Sequence, residues 1–261
     1  MGDIVNHLSL VPECRFMTSN VSTRRVQRVR HELKRRDLQV VRVTTRSPHF
    51  RSVTLGGEAL AGFISASFDD HIKVFLGGGP EPVMRDYTPR HYDAAAGELT
   101  IEFALHGDGP AAQWVAQAAP GQHLHIGGPR GSFIIPLDYD WHLLAGDETA
   151  LPAITRRLEE LPAGARAIAI VQAADAADRR TFRSAAQVDV QWIATADELI
   201  QAVRALALPA GEGYAWCAGE AGAMASLRRV LVQEKGYDPQ ALRAAAYWKR
   251  GAVAHHENLE G

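Results

Sequence analysis

The sequence predicts two domains: an N-terminal antiparallel β-barrel and a doubly wound parallel α/β domain that binds a nucleotide. The chain has 261 residues, which is long enough for two domains. From Leu38 to about residue 129 it consists of short alternating or β-branched runs separated by Gly, Pro and Asp. After about residue 140, strand-like runs alternate with helical ones. We therefore expect a basic N-terminal arm (1–35), the barrel (36–140) and the α/β domain with a C-terminal tail (141–261).

Six runs predict the strands of the barrel: LQVVRVTTRS, RSVTLGG, HIKVFLG, DYTPRHY, ELTIEFALH and HLHIGGP. Their apolar residues tend to alternate, as in strands that bury one face. One helix is predicted in this half, in GPAAQWVAQAAPG, where Pro110 opens the helix and Pro120 with Gly121 closes it.

Strands and helices alternate in the second half. The predicted strands are WHLLAG, ARAIAIVQA, VDVQWIA, GYAWCAGE and LRAAAYW, and the predicted helices are ALPAITRRLEEL, ADELIQAVRAL and AGAMASLRRVLVQEKG. Such an order indicates a parallel sheet, which binds ligands at the carboxyl ends of its strands.

Composition excludes several classes of function. A hydrophobic content of 46% with 22% charged residues is that of a soluble globular protein. The net charge of −2 gives no general attraction to nucleic acid or to an anionic membrane. Two cysteines, Cys14 and Cys217, suit a reducing compartment, and no apolar run approaches the ~20 residues of a membrane span. We expect a cytoplasmic monomer with no nucleic-acid or membrane partner.

The basic segment from Arg24 to Arg36 holds seven of the 28 Lys and Arg residues. It predicts a solvated arm or a short helix packed on the first domain, and contact with nucleic acid or an acidic partner is the alternative.

Polar and aromatic residues are concentrated in MRDYTPR. Arg85 could meet a phosphate, Tyr87 could stack on a planar ring, and Thr88 could hydrogen-bond to the edge of that ring. A strand with a surface arginine and a half-buried tyrosine is the structural alternative, and Asp86 and Arg90 have no assigned role. In HGDGPAAQW, Gly107 and Gly109 lie beside a helix start, and in GGPRGSF the glycines lie beside Arg130, so both segments could bind an anion. The alternative is that these segments are plain turns with a solvated arginine.

Two strand ends of the second half are candidates for nucleotide binding. In GDETALPA, the Thr149 hydroxyl and nearby N–H groups could hold a phosphate or ribose, or Asp147 or Thr149 could cap a helix. In WCAGE, Cys217 and Gly219 could lie against a flat ring, or Cys217 could be a small buried hydrophobe.

Taken together and in order, these motifs resemble the flavin-binding module of the ferredoxin reductase-like superfamily. FDDHIKVFL, GDETALPA and AYWKRG narrow the resemblance to the siderophore-interacting protein family of ferric-siderophore reductases. It extends from about residue 26 to residue 254. The resemblance implies an FAD cofactor and an NADPH or NADH donor.

The resemblance also assigns roles to positions of this chain. Arg85 would pair with the FAD phosphates, Tyr87 would flank the flavin ring and Thr88 would sit near its N5 atom, so that Tyr87 and Thr88 are the catalytic candidates. Further FAD contacts would come from His106, Gly109, Ala111, Gly131, Ser132 and, near the flavin, Trp248. The nicotinamide nucleotide would meet Asp147, Glu148, Thr149, Ala150, Gly219 and Glu220. An anionic ferric chelate would meet Lys73, Lys249 and Arg250.

The chain departs from the wider superfamily at the segment predicted to bind the nicotinamide nucleotide. The wider superfamily has a glycine-rich GxGxxP turn where this chain has GDETALP, a replacement that the narrower family shares. Arg179 and Arg180 are candidates for binding a 2′-phosphate, or they are solvated loop charges.

The leading hypothesis is a reductase that uses FAD and NAD(P)H to convert the Fe(III) of a ferric siderophore to Fe(II) and so release the iron. A flavin reductase serving a protein partner is the first alternative, although the chain has no CxxxxCxxC segment for an iron–sulfur cluster. A non-catalytic binder of a ferric chelate or of nucleic acid is the second. No protein-bound metal is expected, since His255 and His256 lack a third ligand.

Overall fold

The structure is a computed structural model that describes residues 25–77, 82–105, 107, 109–252 and 257–259. Residues 1–24, which include Cys14, and His255 and His256 lie outside the described residues. In the part of the chain that is described, no helix is long and apolar enough to cross a membrane.

The N-terminal domain is a curled antiparallel sheet of seven strands in the order β5-β4-β8-β2-β3-β7-β6. Its strands are β2 (Arg35–Ser47), β3 (Phe50–Gly56), β4 (Ile72–Leu76), β5 (Val83–Tyr87), β6 (Pro89–Asp93), β7 (Glu98–Ala104) and β8 (His123–Gly127). One helix, α1 (Pro110–Ala116), lies between β7 and β8. The inner face is apolar and fully buried, with Leu38, Val53 and Ile101 among its members. The predicted antiparallel barrel is confirmed as a half-barrel.

The seam of this half-barrel falls within the DYTPRHY segment. The sequence predicted one strand there, but the structure has two, β5 and β6, which follow each other in the chain and lie at opposite edges of the sheet. The single residue between them is Thr88. Pro89 has no N–H to continue a ladder, which gives a physical reason for the break.

The second domain is a six-stranded sheet in the order β12-β11-β10-β13-β14-β15. Its strands are β10 (Trp141–Gly146), β11 (Arg166–Gln172), β12 (Gln187–Ile193), β13 (Gly213–Glu220), β14 (Leu242–Trp248) and β15 (Glu257–Asn258). All pairs are parallel except β14 with β15, which is antiparallel. The order reverses between β10 and β13, so the doubly wound arrangement is confirmed with one antiparallel edge strand added.

Helices cover both faces of this sheet. They are α2 (Leu151–Glu160), α3 (Ala196–Ala205) and α4 (Ala221–Arg229), and a π-helical turn (Val230–Glu234) ends the segment that the sequence predicted as one long helix. Residues alternate along β10, so that Leu143 packs with α3 and α4 whereas Leu144 packs with α2.

The α2 side of the sheet packs on the barrel, and the two domains share a core there. Phe50 of β3 and Phe68 lie in the same buried cluster as Ile154 of α2 and Trp216 of β13. Polar contacts also join the two domains. Asp69 of the barrel domain accepts a hydrogen bond from Trp216 Nε1 at 3.2 Å and forms an ion pair with Arg243 at 2.7 Å. The shared core fixes the carboxyl ends of the parallel strands beside the barrel seam.

Besides β15, two short strands had no counterpart among the predicted elements. The basic segment contributes β1 (Gln27–Arg30), a strand rather than a helix, which pairs with β9 (Gly131–Ile134) in GGPRGSF. Gly131 is required in this pairing, since a Cβ there would lie 2.5 Å from the Val29 carbonyl oxygen.

Candidate active site

A cleft of about 560 Å³ lies between the barrel seam and the carboxyl ends of the parallel strands. The barrel wall is formed by His71, Arg85, Asp86, Tyr87, Thr88, Glu102 and Ala104. The opposite wall is formed by Glu148, Thr149, Pro152, Gln172, Tyr247 and Trp248. The structure thus brings together the three predicted flavin contacts of MRDYTPR, two predicted nucleotide contacts and Trp248.

On the barrel wall, Arg85 is the cation best placed for a phosphate. Its guanidinium donates to the Met84 carbonyl oxygen at 2.9 Å, and no carboxylate pairs with it among the residues that the structure describes. Its neighbours in the motif are engaged elsewhere: Asp86 binds Lys73 at 2.7 Å, and Arg90 binds Glu159 of α2 through two hydrogen bonds. Those contacts give Asp86 and Arg90 structural roles.

Tyr87 and Thr88 form the deeper part of this wall. The Tyr87 ring packs at 4.4 Å, centre to centre, on Phe103, and burial raises the pKa of its hydroxyl. Thr88 is only 7% exposed, and Tyr247 of the other domain lines the same cleft. An apolar wall with one shielded hydroxyl is suited to the edge of a planar, polar-rimmed ring.

Asp147 joins the ends of β10, β13 and β14 through hydrogen bonds. Its carboxylate accepts hydrogen bonds from Thr149 N at 2.9 Å, Glu220 N at 2.8 Å and Trp248 Nε1 at 2.8 Å. Burial raises the pKa of Asp147, although these hydrogen bonds act in the opposite direction. Gly219 is needed beside it, because a Cβ would lie 2.5 Å from the carboxylate and the residue has a φ of 150°.

The other residues predicted to bind the nucleotide also make contacts within the protein. Glu148 accepts from Ala174 N at 2.9 Å, and Glu220 caps α4 by accepting from Gly222 N at 2.6 Å and Ala223 N at 3.0 Å. Burial raises the pKa of Glu220, but those N–H groups and the Arg250 charge outweigh it and lower the pKa. Ala150 is fully buried and packs close to Gly146. Thr149 and Glu148 therefore remain the two residues of this set that reach the cleft.

Four of the remaining predicted FAD contacts, all among the described residues, do not line the cleft. Gly109 caps α1, and Ala111 packs against the barrel core. Ser132 is buried, and its hydroxyl contacts His31 and Asp70, each at 2.8 Å. Gly131 is covered by β1, and His106 lies outside the described residues. Contacts of these residues with FAD stay predictions.

The three predicted basic residues lie outside the cleft lining but close to residues that belong to it, and we call these three positions the rim. Lys249 and Arg250 follow the cleft residue Trp248 and are exposed, and the Arg250 N–H lies 3.4 Å from a Glu220 carboxylate oxygen. Lys73 is exposed and paired with Asp86. Arg180, a candidate for a 2′-phosphate, instead binds the buried Glu102 at 2.7 Å.

Several cleft residues were not identified from the sequence, namely His71, Glu102, Gln172 and Tyr247. Gln172 and Tyr247 end or nearly end parallel strands, and the rule that ligands meet those ends could have found them. Cys217 is a fully buried hydrophobe, as one of its two readings proposed, and burial raises the pKa of its thiol to about 12.

The residues of the cleft fit a flavin. Arg85 offers a cation to a phosphate, Tyr87 and Trp248 offer aromatic surfaces, and Thr88 offers a hydroxyl, around a space of about 560 Å³.

Comparison with protein families agrees with this geometry. The model of the siderophore-interacting FAD-binding domain matches residues 39–81 and 76–133. The model of the siderophore-interacting protein matches residues 139–251.

Curated relatives match over most of their length. The NADPH-dependent ferric-chelate reductase of Escherichia coli K12 is 38% identical over 88% of this chain and 98% of its own. The ferric vibriobactin reductase ViuB of Vibrio cholerae is 33% identical over 84% of this chain and 92% of its own.

Solved structures show the same architecture. A siderophore utilization protein from T. fusca superposes with a TM-score of 0.83 at 34% identity, over 88% of this chain and 98% of that one. The siderophore-interacting protein SipS from Aeromonas hydrophila has a TM-score of 0.74 at 30% identity, over 86% of this chain and 93% of that one. The ferredoxin reductase of carbazole 1,9a-dioxygenase, with a TM-score of 0.65 at 18% identity over 80% of this chain and 66% of that one, shares the fold. The chain therefore belongs to the siderophore-interacting protein family, within the ferredoxin reductase-like fold.

Proposed function

We propose that this chain is an FAD-dependent reductase that uses NADPH, or NADH, to reduce the Fe(III) of a ferric siderophore to Fe(II). The observation that carries the proposal is the cleft itself, in which Arg85, Tyr87 and Thr88 face Glu148, Thr149 and Trp248. The two curated relatives named as reductases of ferric chelates support the choice of substrate.

The barrel wall would hold the FAD. Arg85 would bind its phosphates through charge-assisted hydrogen bonds, Tyr87 would cover the ring, and Thr88 would meet the ring edge. When bound, flavin supplies the conversion of a two-electron hydride donor into one-electron steps, which Fe(III) requires. Because Thr88 is buried and Tyr87 packs on Phe103, this wall would keep water from the reacting edge.

The opposite wall would receive the electron donor. Thr149 and Glu148 line the cleft at the end of β10, where a nucleotide binds in a doubly wound sheet. Asp147 would act behind them, by holding Thr149 and the Trp248 indole in place. Glu220 and Gly219 would serve the same site by supporting Asp147.

The iron would enter as substrate, held by its siderophore. Hydroxamate and catecholate oxygens are hard donors that prefer Fe(III), so reduction weakens the complex and frees the metal. Lys73, Lys249 and Arg250 at the rim would attract an anionic chelate.

The test is anaerobic iron release. The purified protein should be yellow, and NADPH should produce Fe(II) from a ferric siderophore, measured as the coloured complex with a ferrous chelator. The protein without NADPH, and NADPH without the protein, are the controls. Bound flavin that NADPH reduces, with no iron released from either a hydroxamate or a catecholate complex, would contradict the proposal and favour a flavin reductase that serves a protein partner.

We further propose that the chain acts in the cytoplasm as a monomer, without a nucleic-acid or membrane partner. Light scattering during size-exclusion chromatography should then give a mass close to the 28.4 kDa of one chain. A dimer mass would contradict this.

A further inference from the structure

A second cavity, of about 510 Å³, lies at the end of the α/β sheet that faces away from the cleft. Tyr214 near the start of β13 and Leu242 at the start of β14 line this cavity. The other end of β14 reaches the cleft through Tyr247 and Trp248, and the two linings share no residue. Small-molecule sites measure about 300–1,000 Å³. The second cavity therefore has the size of a ligand site and is separate from the proposed flavin site.

The charged side chains that line this cavity are all arginines. They are Arg28 of β1, Arg228 of α4 and Arg243 of β14, and no Asp or Glu is among the described residues of the lining. We call these three residues the arginine cluster. Since they come from segments distant in sequence, the fold brings them together, and not a local basic run. Arginine binds carboxylate and phosphate groups through paired hydrogen bonds, so the cavity is suited to an anion.

Two members of the arginine cluster are positioned by an aromatic ring. The guanidinium carbon of Arg243 lies 4.1 Å from the centre of the Phe133 ring, and that of Arg28 lies 5.2 Å from it. Arg243 also pairs with Asp69 at 2.7 Å. A guanidinium has five N–H donors, so an arginine that has such a partner can still donate to a ligand. The cluster is thus arranged for an anion without any need for its members to lack other contacts.

A buried hydroxyl in the wall of this cavity lacks a partner. Tyr214 is only 2% exposed, and its hydroxyl has no hydrogen-bond partner among the described residues. Burial raises the pKa of Tyr214 whereas the charge of Arg243 acts in the opposite direction, and the net increase means that the hydroxyl keeps its proton at neutral pH. A buried donor without an acceptor is costly. An acceptor oxygen on a ligand is the kind of group that would remove this cost.

Apolar side chains line the cavity beside the arginine cluster, among them Val26, Leu242 and Leu259, together with the Phe133 ring. A bare inorganic ion would leave this apolar surface in contact with water. An organic anion with an apolar body would cover it, and burial of apolar surface is favourable. The lining therefore favours an amphipathic ligand.

We propose that this cavity binds a small amphipathic organic anion, whose carboxylate or phosphate group meets the arginine cluster and whose apolar body packs on Phe133 and Leu242. The site is additional to the proposed function, because neither the electron donor nor the ferric chelate takes part in it.

The test uses anilinonaphthalene sulfonate as the probe, an amphipathic anion whose sulfonate stands in for a carboxylate or phosphate. Phenylnaphthylamine, which lacks the sulfonate, is its neutral counterpart. Equilibrium dialysis of the purified full-length protein, with saturating FAD and NADP⁺ present to fill the cleft, measures the binding of each dye. Arg28→Gln and Arg228→Gln should each raise the dissociation constant of the anionic dye about tenfold, the effect of one hydrogen bond to a charged group. Neither change should alter the affinity for the neutral dye.

Arg229→Gln is the matched control. Arg229 follows Arg228 on α4, is exposed and does not line the cavity, so the change removes the same charge from the same helix. It should leave the affinity for the anionic dye nearly unchanged. Phenyl phosphate and benzoate, added as competitors, identify the head group, since whichever the cluster accepts should displace the anionic dye.

Several outcomes would overturn the proposal. Equal affinity of the wild-type protein for the two dyes would do so, as would displacement by neither competitor or an equal loss in the Arg229 variant. Wild-type affinity in the Arg228 variant would do so as well, and this variant decides the question if Arg28→Gln destabilises β1. A protein that binds the anionic dye through the arginine cluster but releases no iron would contradict only the proposed function.

Discussion

Arg85 is the residue on which flavin retention is expected to depend most. Its neighbours Lys73 and Arg90 have carboxylate partners, whereas the Arg85 guanidinium contacts only a carbonyl oxygen in the described structure. Its charge is therefore available to a phosphate, and a charge-assisted hydrogen bond is among the strongest polar contacts.

Arg85→Ala is expected to weaken FAD binding about 10- to 100-fold, which corresponds to about 1.5–3 kcal/mol for a hydrogen bond to a charged group. The measurement is a fluorescence titration of the apoprotein with FAD. Arg42→Ala is the control, because Arg42 is an exposed barrel arginine that pairs with Glu98 outside the cleft lining. Equal affinity in the Arg85 variant and the wild type would show that Arg85 does not hold the phosphates.

A single buried residue, His142, is expected to make the stability of the protein depend on pH. It is 1% exposed in β10, and burial, followed by the charge of Arg157, lowers its pKa from 6.5 to about 4. The native state therefore keeps His142 neutral at a pH where the unfolded chain takes up a proton. The stabilisation is fully present above pH 6.5 and is lost as the pH falls toward about 4.

The lost stability is expected to reach about 3 kcal/mol at the lower end of that range, at 1.36 kcal/mol for each pKa unit. Urea unfolding at several pH values would measure it. His142→Gln should flatten the dependence, whereas His123→Gln, at an exposed histidine, should retain it. A variant at His142 with the wild-type pH dependence would rule this explanation out.

At the scale of elements, the sequence predicted the strands and helices whose own residues determine them, and it missed those that depend on distant segments. WHLLAG and ARAIAIVQA are confirmed within a residue or so, since a buried parallel strand is a continuous apolar run. Strands β1 and β9 have no such signal, because each exists only through pairing with a segment about a hundred residues away. The break at Thr88 was missed for a related reason: it follows from closure of the sheet, which local residues do not specify.

The elements β6, β7 and the loop after β11 meet at Glu102. Its carboxylate is 2% exposed and lies 2.7 Å from Arg180, with Arg46 at 3.7 Å and Arg90 at 3.8 Å. Arg180 belongs to the α/β domain, so this cluster helps to hold the second domain against the barrel. Removing the charge would leave Arg180, whose side chain is only 15% exposed, without its carboxylate partner, whereas Arg90 would keep Glu159.

Glu102→Gln is expected to lower the free energy of unfolding by about 3–5 kcal/mol. Glu98→Gln is the control, since it breaks the more exposed pair with Arg42 and should cost at most about 1 kcal/mol. Denaturant titration of the three proteins compares them. Similar losses in both variants would mean that the Glu102 cluster contributes no more than a surface ion pair.

At the scale of the whole molecule, the site arises from docking of two domains. The sequence could predict Arg85, Tyr87, Thr88, Glu148 and Thr149 because each lies in a motif at the end of a strand. The cap that Asp147 places on Thr149 N was one of the two sequence interpretations, but the contacts of Asp147 with Glu220 N and Trp248 Nε1 were not predicted, since they join strand ends distant in sequence.

The charge distribution of the whole molecule leads to the last prediction. With a net charge of −2 the protein as a whole does not attract an anion, so capture of an anionic chelate must depend on the local rim. Lys249 and Arg250 are exposed beside Trp248, whereas Lys73 is partly neutralised by Asp86. Lys249 and Arg250 should therefore matter more than Lys73.

Lys249→Ala combined with Arg250→Ala is expected to raise the half-saturating concentration of an anionic tris-catecholate ferric complex about tenfold while leaving kcat nearly unchanged. A neutral ferric trihydroxamate should be almost unaffected, and the difference should shrink as salt reduces the Debye length below ~8 Å. Asp86→Asn, which frees Lys73, should act in the opposite direction and lower that concentration for the anionic complex. Steady-state assays of iron release with both complexes at two ionic strengths would measure these effects, and equal shifts for the neutral complex would show that the rim recognises shape rather than charge.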